Sequence, residues 1–218
     1  MLLKRNPGRI FAENVTYKLK EVMATRPKAV LVFSGKRKSG KDFITERLME
    51  RFGAEICGII RLSGPLKQQY ALEKSLDFAR LLDSTSYKEQ FRADMIRWGE
   101  DKRNQDPGFF CQVATSGDEA KKSVWIISDA RRKTDIEYFK SNFPDITKTI
   151  RVVTSDSTRQ SRGFVFTPGV DDAESECGLD NVDFDMEIIN NGDDAVLEKS
   201  LQDIEHLLVS VKILQGER

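Results

Sequence analysis

The chain has 218 residues, and its 35 Lys and Arg balance 35 Asp and Glu, so it lacks the overall positive field that drives non-specific binding to nucleic acid. No apolar run approaches the roughly 18 residues of a membrane span. Three widely spaced cysteines suit neither a disulfide framework nor a zinc cluster, and we expect a monomer in the reducing cytosol, without a nucleic-acid or membrane partner.

The first 27 residues have no strong hydrophobic period and carry scattered charges. We expect residues 1–27 to form a loosely ordered N-terminal extension. Residues 28–218 then make up a single domain, a size that suits one hydrophobic core.

A buried strand is predicted at Ala29–Phe33, because these residues are almost all apolar. It leads into Gly35, Gly40 and Lys41, where a helical pattern begins, and this is the layout of a phosphate-binding loop, or P-loop. A glycine-containing turn with solvated lysines is the simpler alternative. The motif usually has Ser or Thr after the lysine to hold Mg²⁺, but Asp42 stands here and offers a carboxylate. We expect ATP and Mg²⁺ to bind at Gly35, Lys36, Arg37, Lys38, Ser39, Gly40, Lys41 and Asp42.

Further strands alternate with helical stretches along the rest of the chain. The strands are predicted at Glu55–Arg61, Ser123–Ser128, Thr149–Val153 and Phe184–Ile189. The helices are predicted at Lys41–Phe52, at Pro65–Gln105 with a break near residues 82–86, and at Asp193–Leu214. This alternation predicts an α/β, three-layer P-loop kinase fold with five parallel strands, right-handed crossovers and helices on both faces.

The second half of the long helical pattern, Ser86–Asn104, is rich in cations. Lys88 and Arg92 are four residues apart and share a face, and Arg103 lies near the end of the helix. An ordinary charged surface helix has the same pattern, so a binding face and a solvated face both remain open here.

Asp129 follows the third buried strand, and Arg131 and Arg132 come directly after it. Ligands collect at the carboxyl ends of the strands in open α/β sheets. An aspartate there can hold Mg²⁺ directly or through water, and two arginines can bind a phosphate group. The alternative is a helix cap followed by surface arginines.

A long stretch with little regular pattern, residues 155–181, follows the fourth strand. Connections longer than about 12–15 residues are usually lids or disordered segments, and the phenylalanines and valines of this one favour a lid. Arg159 and Arg162 lie near its start, at the expected hinge of the lid, and we expect them to be mobile without ligand and ordered with it.

The chemistry of the acceptor follows from what the sequence lacks. Its sole histidine, His206, lies in the last helix, and no HRD or DFG motif of the protein kinases is present. An alcohol acceptor usually needs a general base, whereas a phosphate monoester is largely a dianion at pH 7 and needs cations instead. The residues therefore favour a small-molecule kinase with a phosphate-bearing acceptor.

Six segments together resemble the animal-type phosphomevalonate kinases. They are SGKRKSGKDF (34–43), RLSGPLK (61–67), YKEQFRADMIRWGE (87–100), DPGFFC (106–111), SDARR (128–132) and FTPGVDDAESECGLDN (166–181). The resemblance implies a nucleoside-monophosphate-kinase-like P-loop fold. It also implies transfer of the ATP γ-phosphate to (R)-5-phosphomevalonate, giving (R)-5-diphosphomevalonate and ADP, in the mevalonate route to isoprenoids and sterols.

The resemblance also implies residue roles. The catalytic residues are expected to be Lys41, Lys38, Arg37 and Arg131. The nucleotide is expected to contact the P-loop together with Arg159, Arg162 and Asn191. The acceptor is expected to contact Lys88, Arg92, Arg103, Arg131, Arg132 and Asn190. The Mg²⁺ ligands are expected to be Asp42 and Asp129. Arg151 matches a basic position of the family. Gln112 stands where the family has a cation.

Two other functions remain open at this point. A kinase for a nucleotide or another small phosphometabolite shares the same loop and fold. A P-loop switch that binds nucleotide without phosphorylating a metabolite is the second alternative, although no NKxD guanine signature is present and a switch has little use for a second cationic pocket.

Overall fold

The computed structural model describes residues 26–82 and 86–210, with a five-stranded sheet at its centre. The strands are β1 (Ala29–Gly35), β2 (Cys57–Ile60), β3 (Val124–Ile127), β4 (Thr147–Val153) and β5 (Met186–Ile189). All neighbouring strands are parallel, in the order β2-β3-β1-β4-β5. Their carboxyl ends therefore meet at one edge of the sheet, where loops after several strands come together.

Helices connect the strands. They are α1 (Lys41–Phe52), α2 (Ser63–Lys74), α3 (Phe78–Leu82), α4 (Ser86–Gln105), α5 (Phe109–Ala114), α6 (Lys133–Asn142), α7 (Asp156–Ser161), α8 (Glu174–Cys177) and α9 (Asp194–Ser210). A short 3₁₀ helix, Asp118–Lys121, precedes β3. No helix within the described ranges is long and apolar enough to cross a membrane.

The sheet is covered on both faces because β1 is apolar on both. Leu31 and Phe33 belong to a core with apolar residues of α1 and α9, such as Leu48 and Leu201. Val30 and Val32 point to the other face and belong to a core with α6 and α5. Continuous apolar runs are typical of parallel strands buried in this way, and the predicted three-layer architecture is confirmed.

A separate cluster of helices lies beside the sheet and has its own buried core. Tyr70 of α2, Met95 and Trp98 of α4, and Phe110 of α5 are buried together in it. Tyr70 and Trp98 meet edge to face with ring centroids 5.6 Å apart, a favourable aromatic geometry. This cluster fixes the position of the cationic face of α4.

The predicted strands and the first helix agree with the structure to within two residues, but the long helical stretch was partly wrong. Helix α2 begins at Ser63, two residues before the predicted start at Pro65, because Pro65 is tolerated in the first turn of a helix. It ends where Ser75 takes a left-handed conformation (φ 55°), so α3 is separate. Helices α5, α6, α7 and α8 have no counterpart among the predicted helices. The predicted extension before residue 26 and the predicted end of the last helix at Leu214 lie outside the described residues.

Candidate active site

The P-loop, residues 35–42, connects the end of β1 to the start of α1. Lys38 (φ 66°) and Gly40 (φ 83°) have left-handed backbone conformations, a feature of loops whose successive N–H groups form an anion-binding concavity. Helix α1 begins at Lys41 and adds the partial positive charge of its N-terminus. The local geometry is therefore suited to binding phosphate groups.

Residues from distant elements brace the P-loop through the carbonyl oxygen of Ser39. This oxygen accepts hydrogen bonds from Asn190 Nδ2 (2.8 Å), Thr154 Oγ1 (2.9 Å) and Arg162 Nη1 (3.1 Å). A Cβ atom at Gly40 would lie 2.3 Å from Asn190 Nδ2, in addition to being strained by the positive φ. Arg162 and Asn190, both predicted to contact substrates, therefore support the backbone of the loop.

Lys41 and Asp42 lie side by side at the start of α1. Only 7% of Lys41 is exposed, and its Nζ is 2.7 Å from Asp42 Oδ1. Partial burial acts to raise the pKa of Asp42, but the charge and hydrogen bond of Lys41, helped by Arg61 and Arg131, produce a net lowering of that pKa. Lys41, Asp42 and Arg131 line a cavity of about 330 Å³ along the loop, which we call the P-loop cavity.

Asp42 has the chemistry that Mg²⁺ requires beside a nucleotide. Its carboxylate is 66% exposed and is a hard oxygen ligand. Within residues 26–82 and 86–210 no group of three or more His, Cys, Asp or Glu could hold a metal. The oxygens of Asp129 accept N–H bonds from Leu62 (2.6 Å) and Ser63 (3.1 Å) at the start of α2, so its role as a metal ligand stays a prediction.

A second cavity of about 330 Å³ adjoins the other side of the P-loop, near the ends of β4 and β5, and we call it the strand-end cavity. Lys36, Arg151 and Arg159 are the cations that line it. Arg151 forms an ion pair with Asp180 (2.8 Å) and donates a hydrogen bond to Ser34 Oγ (2.9 Å). Arg151 therefore faces a cavity, although a strand position usually packs in the core.

Arg159 of the predicted lid contacts the P-loop directly. It is 8% exposed, and its Nε donates to the carbonyl oxygen of Arg37 (3.0 Å). Its guanidinium lies 3.9 Å from the ring centroid of Phe164, a cation–π contact. Asn191 instead accepts a hydrogen bond from the N–H of Ser155 (2.8 Å) and fixes the start of the lid. The lid therefore begins firmly attached to the loop.

A third cavity, of about 270 Å³, lies between α2, α4 and the turn after β3, and we call it the cationic cavity. Its cations are Lys67, Lys88, Arg92, Arg103, Arg131 and Arg132. All of them except Lys67 were predicted to bind the acceptor, and these five come from α4 and from the turn after β3. Lys67 was not predicted, although it stands at the end of the RLSGPLK segment.

The cations of this cavity crowd one another. Burial lowers the pKa of Lys67, and the neighbouring charge of Lys88 lowers it further. Burial also lowers the pKa of Arg103, whose Nε is buried without a hydrogen-bond partner. Among the described residues, neither Lys67 nor Arg103 forms an ion pair within 4 Å. Such a cavity is suited to a multiply charged anion, because an anion offsets the repulsion between these side chains.

A buried carboxylate sets the direction of the two arginines after β3. Asp135 is 1% exposed, and its Oδ2 accepts N–H bonds from Arg131 (2.9 Å) and Arg132 (3.0 Å). Burial raises the pKa of Asp135 despite these hydrogen bonds. With the backbone held, the Arg131 side chain pairs with Glu176 and the Arg132 side chain pairs with Glu100.

Three carboxylates of the lid bind cations that were predicted to contact the substrates. Asp171 pairs with Arg37 (2.9 Å), and Asp180 pairs with Lys36 (2.6 Å). Glu176 pairs with Arg131. The sequence segment FTPGVDDAESECGLDN contains all three acids, but nothing in it indicates which cations they meet.

The structure thus brings most of the predicted residues to one edge of the sheet. Lys41 and Arg131 share the P-loop cavity, while Arg37 is turned toward the lid. Arg92 lines the cationic cavity but also binds Glu89 on its own helix, with Nε to Oε2 at 2.7 Å. Gln112 donates to Asp106 (3.3 Å) and does not line the cationic cavity.

Comparisons with known proteins agree on the family and on the fold. The family model for phosphomevalonate kinase matches residues 33–145. A curated phosphomevalonate kinase from Drosophila melanogaster is 41% identical over 167 residues, which cover 74% of this chain and 88% of that protein. The crystal structure of a gluconokinase from Sinorhizobium meliloti 1021 has a TM-score of 0.50 at 14% identity, covering 88% of this chain and 99% of that one. The last likeness concerns the fold alone.

Proposed function

The chain belongs to the phosphomevalonate kinase family, and on that premise we propose how its cleft carries out the reaction. The protein is an ATP-dependent phosphotransferase of the mevalonate pathway that acts on phosphomevalonate. We propose that it transfers the γ-phosphate to (R)-5-phosphomevalonate in line, and that the products are (R)-5-diphosphomevalonate and ADP.

The observation that carries this proposal is the position of Arg131. Its side chain lines both the P-loop cavity and the cationic cavity. Two phosphate groups, one in each cavity, can therefore meet at a single guanidinium, whose planar fork binds phosphate oxygens in a fixed geometry. Bringing two mutually repelling anions together in this way supplies the orientation and the charge neutralisation that phosphoryl transfer needs.

The chemistry of the acceptor requires no general base. Among the described residues no histidine lines either cavity, since His206 lies exposed on α9. A phosphate monoester is largely deprotonated at pH 7, because its second pKa is about 6. We assign the binding of that dianion to Lys67, Lys88, Arg92, Arg103, Arg131 and Arg132.

On the nucleotide side, we assign Lys41, Lys38 and Arg37 to the phosphate oxygens of ATP. The side chain of Lys41 is almost fully buried, so its charge acts in a weakly screened environment. Asp42 would hold Mg²⁺ beside the loop, and the ion would supply electrostatic stabilisation of phosphate oxygens when bound. Asp129 as a second ligand, Arg159, Arg162 and Asn191 as nucleotide contacts, and Asn190 as an acceptor contact remain part of the proposal.

We further propose that the enzyme works as a monomer in the cytosol without a nucleic-acid partner. The balanced charge of the chain supports the last point, since non-specific nucleic-acid binding needs an excess of cations.

The test is a coupled assay of ADP release with several acceptors in parallel. We expect rapid turnover with phosphomevalonate and none with mevalonate, which lacks the phosphate that the cationic cavity binds. Faster turnover with AMP, CMP or UMP would favour a nucleotide kinase. Tight nucleotide binding without turnover of any acceptor would favour a P-loop switch.

A further inference from the structure

Within the described part of the chain, Glu176 is the one lid carboxylate that contacts both the P-loop and a cation of the cationic cavity. It accepts a hydrogen bond from the backbone N–H of Arg37 in the P-loop (3.0 Å). It also pairs with Nη1 of Arg131, and the same nitrogen donates to the carbonyl oxygen of Ser175 (3.4 Å). The side chain of Glu176 is only 9% exposed and lines the cationic cavity.

Like a phosphate oxygen, this carboxylate is an anionic hydrogen-bond acceptor, and it accepts from groups that we assign to phosphate binding. Arg131 is the side chain shared by the two cavities, and Arg37 belongs to the loop that binds the nucleotide. A phosphate that approaches either group meets a negative charge that water screens poorly at this burial. Glu176 and a substrate phosphate therefore compete for the same donors.

We propose that Glu176 is a positioning residue that couples the binding of the two substrates. In the ligand-free enzyme it ties Arg131 to the P-loop. When either substrate binds, it displaces the carboxylate and thereby frees the donor that the other substrate needs. The first substrate to bind breaks the contacts of Glu176 with Arg131 and the P-loop, so the second substrate binds without the free-energy cost of breaking them. The two substrates therefore bind with positive cooperativity. This inference rests on the proposed function.

The chain offers a matched control in the same short helix. Glu174 is exposed, and among the described residues its carboxylate pairs with no cation. Replacing Glu174 by Gln removes the same charge from the same segment without touching Arg131 or the P-loop. Any effect of net charge on a polyanionic ligand is therefore measured by E174Q and can be subtracted.

The experiment is calorimetric titration with AMP-PNP, an ATP analogue whose γ-phosphate is not transferred, in the presence of Mg²⁺. Each protein is titrated alone and again with saturating phosphomevalonate. We expect phosphomevalonate to tighten AMP-PNP binding to the wild type and to E174Q by about fivefold or more. E176Q should bind AMP-PNP more tightly than E174Q does when alone, and phosphomevalonate should change its affinity little.

Two results would overturn the proposal. One is an E176Q variant that binds AMP-PNP more weakly with the wild-type coupling ratio, which is what a merely structural role gives. The other is a wild type in which phosphomevalonate leaves the AMP-PNP affinity unchanged. Glu176→Asp, which keeps the charge but shortens the side chain, is a second variant and should also lose coupling.

Turnover of the wild type with phosphomevalonate separates this proposal from the proposed function. If the wild type turns over but shows no coupling, the role of Glu176 is wrong and the function stands. If the wild type does not turn over, the function is wrong, and the titration with AMP-PNP alone still decides whether Glu176 opposes the nucleotide.

Discussion

The cations on the two sides of the cleft have different partners. On the nucleotide side, formed by the P-loop cavity and the strand-end cavity, Lys36 and Arg37 are paired with carboxylates of the lid. On the acceptor side, formed by the cationic cavity, Lys67, Lys88 and Arg103 have no ion pair among the described residues. On the nucleotide side, a ligand replaces the carboxylates that pair with Lys36 and Arg37. On the acceptor side, Lys67, Lys88 and Arg103 gain an anion that they lack, although Arg92, Arg131 and Arg132 are already paired. Binding affinity should therefore depend more strongly on individual cations on the acceptor side.

The largest effect of a single substitution is expected at Lys41, and it concerns the catalytic rate and not substrate affinity. Lys41→Met removes a buried charge beside the transferring group, and we expect kcat to fall by about a hundredfold to a thousandfold. The measurement is steady-state turnover with both substrates saturating. Lys140→Met, on the exposed surface of α6, is the control for loss of a lysine, and thermal unfolding checks that both variants fold. A Lys41 variant with more than a tenth of the wild-type kcat contradicts the assignment.

The next effect concerns affinity on the acceptor side. A charge-assisted hydrogen bond contributes about 1.5–3 kcal/mol, so Lys67→Met should raise the KM for phosphomevalonate by about tenfold to a hundredfold. The KM for ATP should change by less than about twofold, because Lys67 does not line the P-loop cavity. Each KM is measured with the other substrate saturating, and an equal rise in both KM values would contradict the assignment of Lys67 to the acceptor side.

The pH dependence of the same KM tests the state of Lys67. Its pKa is lowered from the ordinary value of 10.5 by burial and by Lys88, so the amine loses its proton at a lower pH than usual. The charged form binds the phosphate dianion, and the KM for phosphomevalonate should therefore rise as pH increases through this lowered pKa. In Lys67→Arg the guanidinium stays charged, and this part of the rise should disappear. A profile unchanged by the substitution would contradict the assignment.

A smaller effect is expected on the stability of the lid, whose carboxylates pair with cations of the nucleotide side. Asp171 is 8% exposed and accepts hydrogen bonds from Arg37 Nη2 (2.9 Å) and the N–H of Thr167 (2.7 Å). Asp171→Asn should weaken this attachment by about 1 kcal/mol, since Arg37 is partly exposed. Hydrogen exchange of residues 165–171 should then become about fivefold faster. Glu174→Gln, at an exposed residue of the same lid, should leave the rate unchanged.

The smallest effect is a difference in thiol reactivity. Burial raises the pKa of Cys57 from 9.0 to about 12 and also raises the pKa of Cys111, so both carry little thiolate at neutral pH. Cys177 is half-buried in the lid beside Glu176. Native protein should react with a disulfide reagent first at Cys177, and ligands that displace the lid carboxylates should change only that rate. Mass spectrometry of the labelled peptides measures this order, and early labelling of Cys57 would contradict it.

The P-loop and the sheet could be predicted because their signals are local. An apolar run that leads into Gly35, Gly40 and Lys41 has few other structural solutions, and each strand had its own apolar run. The pair of arginines after β3 was placed correctly at a strand end for the same reason. The break after α2 could not be predicted, since Ser75 in a left-handed conformation has no strong sequence signal.

The partners of the charged side chains were beyond the reach of the sequence. Glu176 lies 45 positions from Arg131, in a helix of four residues that has no measurable period. Lys67 is an isolated cation in α2, and only packing against α4 gives it Lys88 as a neighbour. Arg162 and Asn190 were predicted to contact the substrates, but their hydrogen bonds to a carbonyl oxygen of the P-loop depend on where β5 lies. Such contacts are tertiary and leave no local pattern.

The bond between Asn190 and Ser39 also has a consequence for the growing polypeptide. The two residues are 151 positions apart, so the ribosome completes the P-loop early and its brace only near the end of synthesis. A nascent chain whose residue 190 is still inside the ribosome has the glycines and the lysine of the motif. It lacks the Asn190 side chain that fills the space beside Gly40. We therefore expect nucleotide to stabilise the protein less before β5 has been translated than after it, because this brace on the P-loop is then missing.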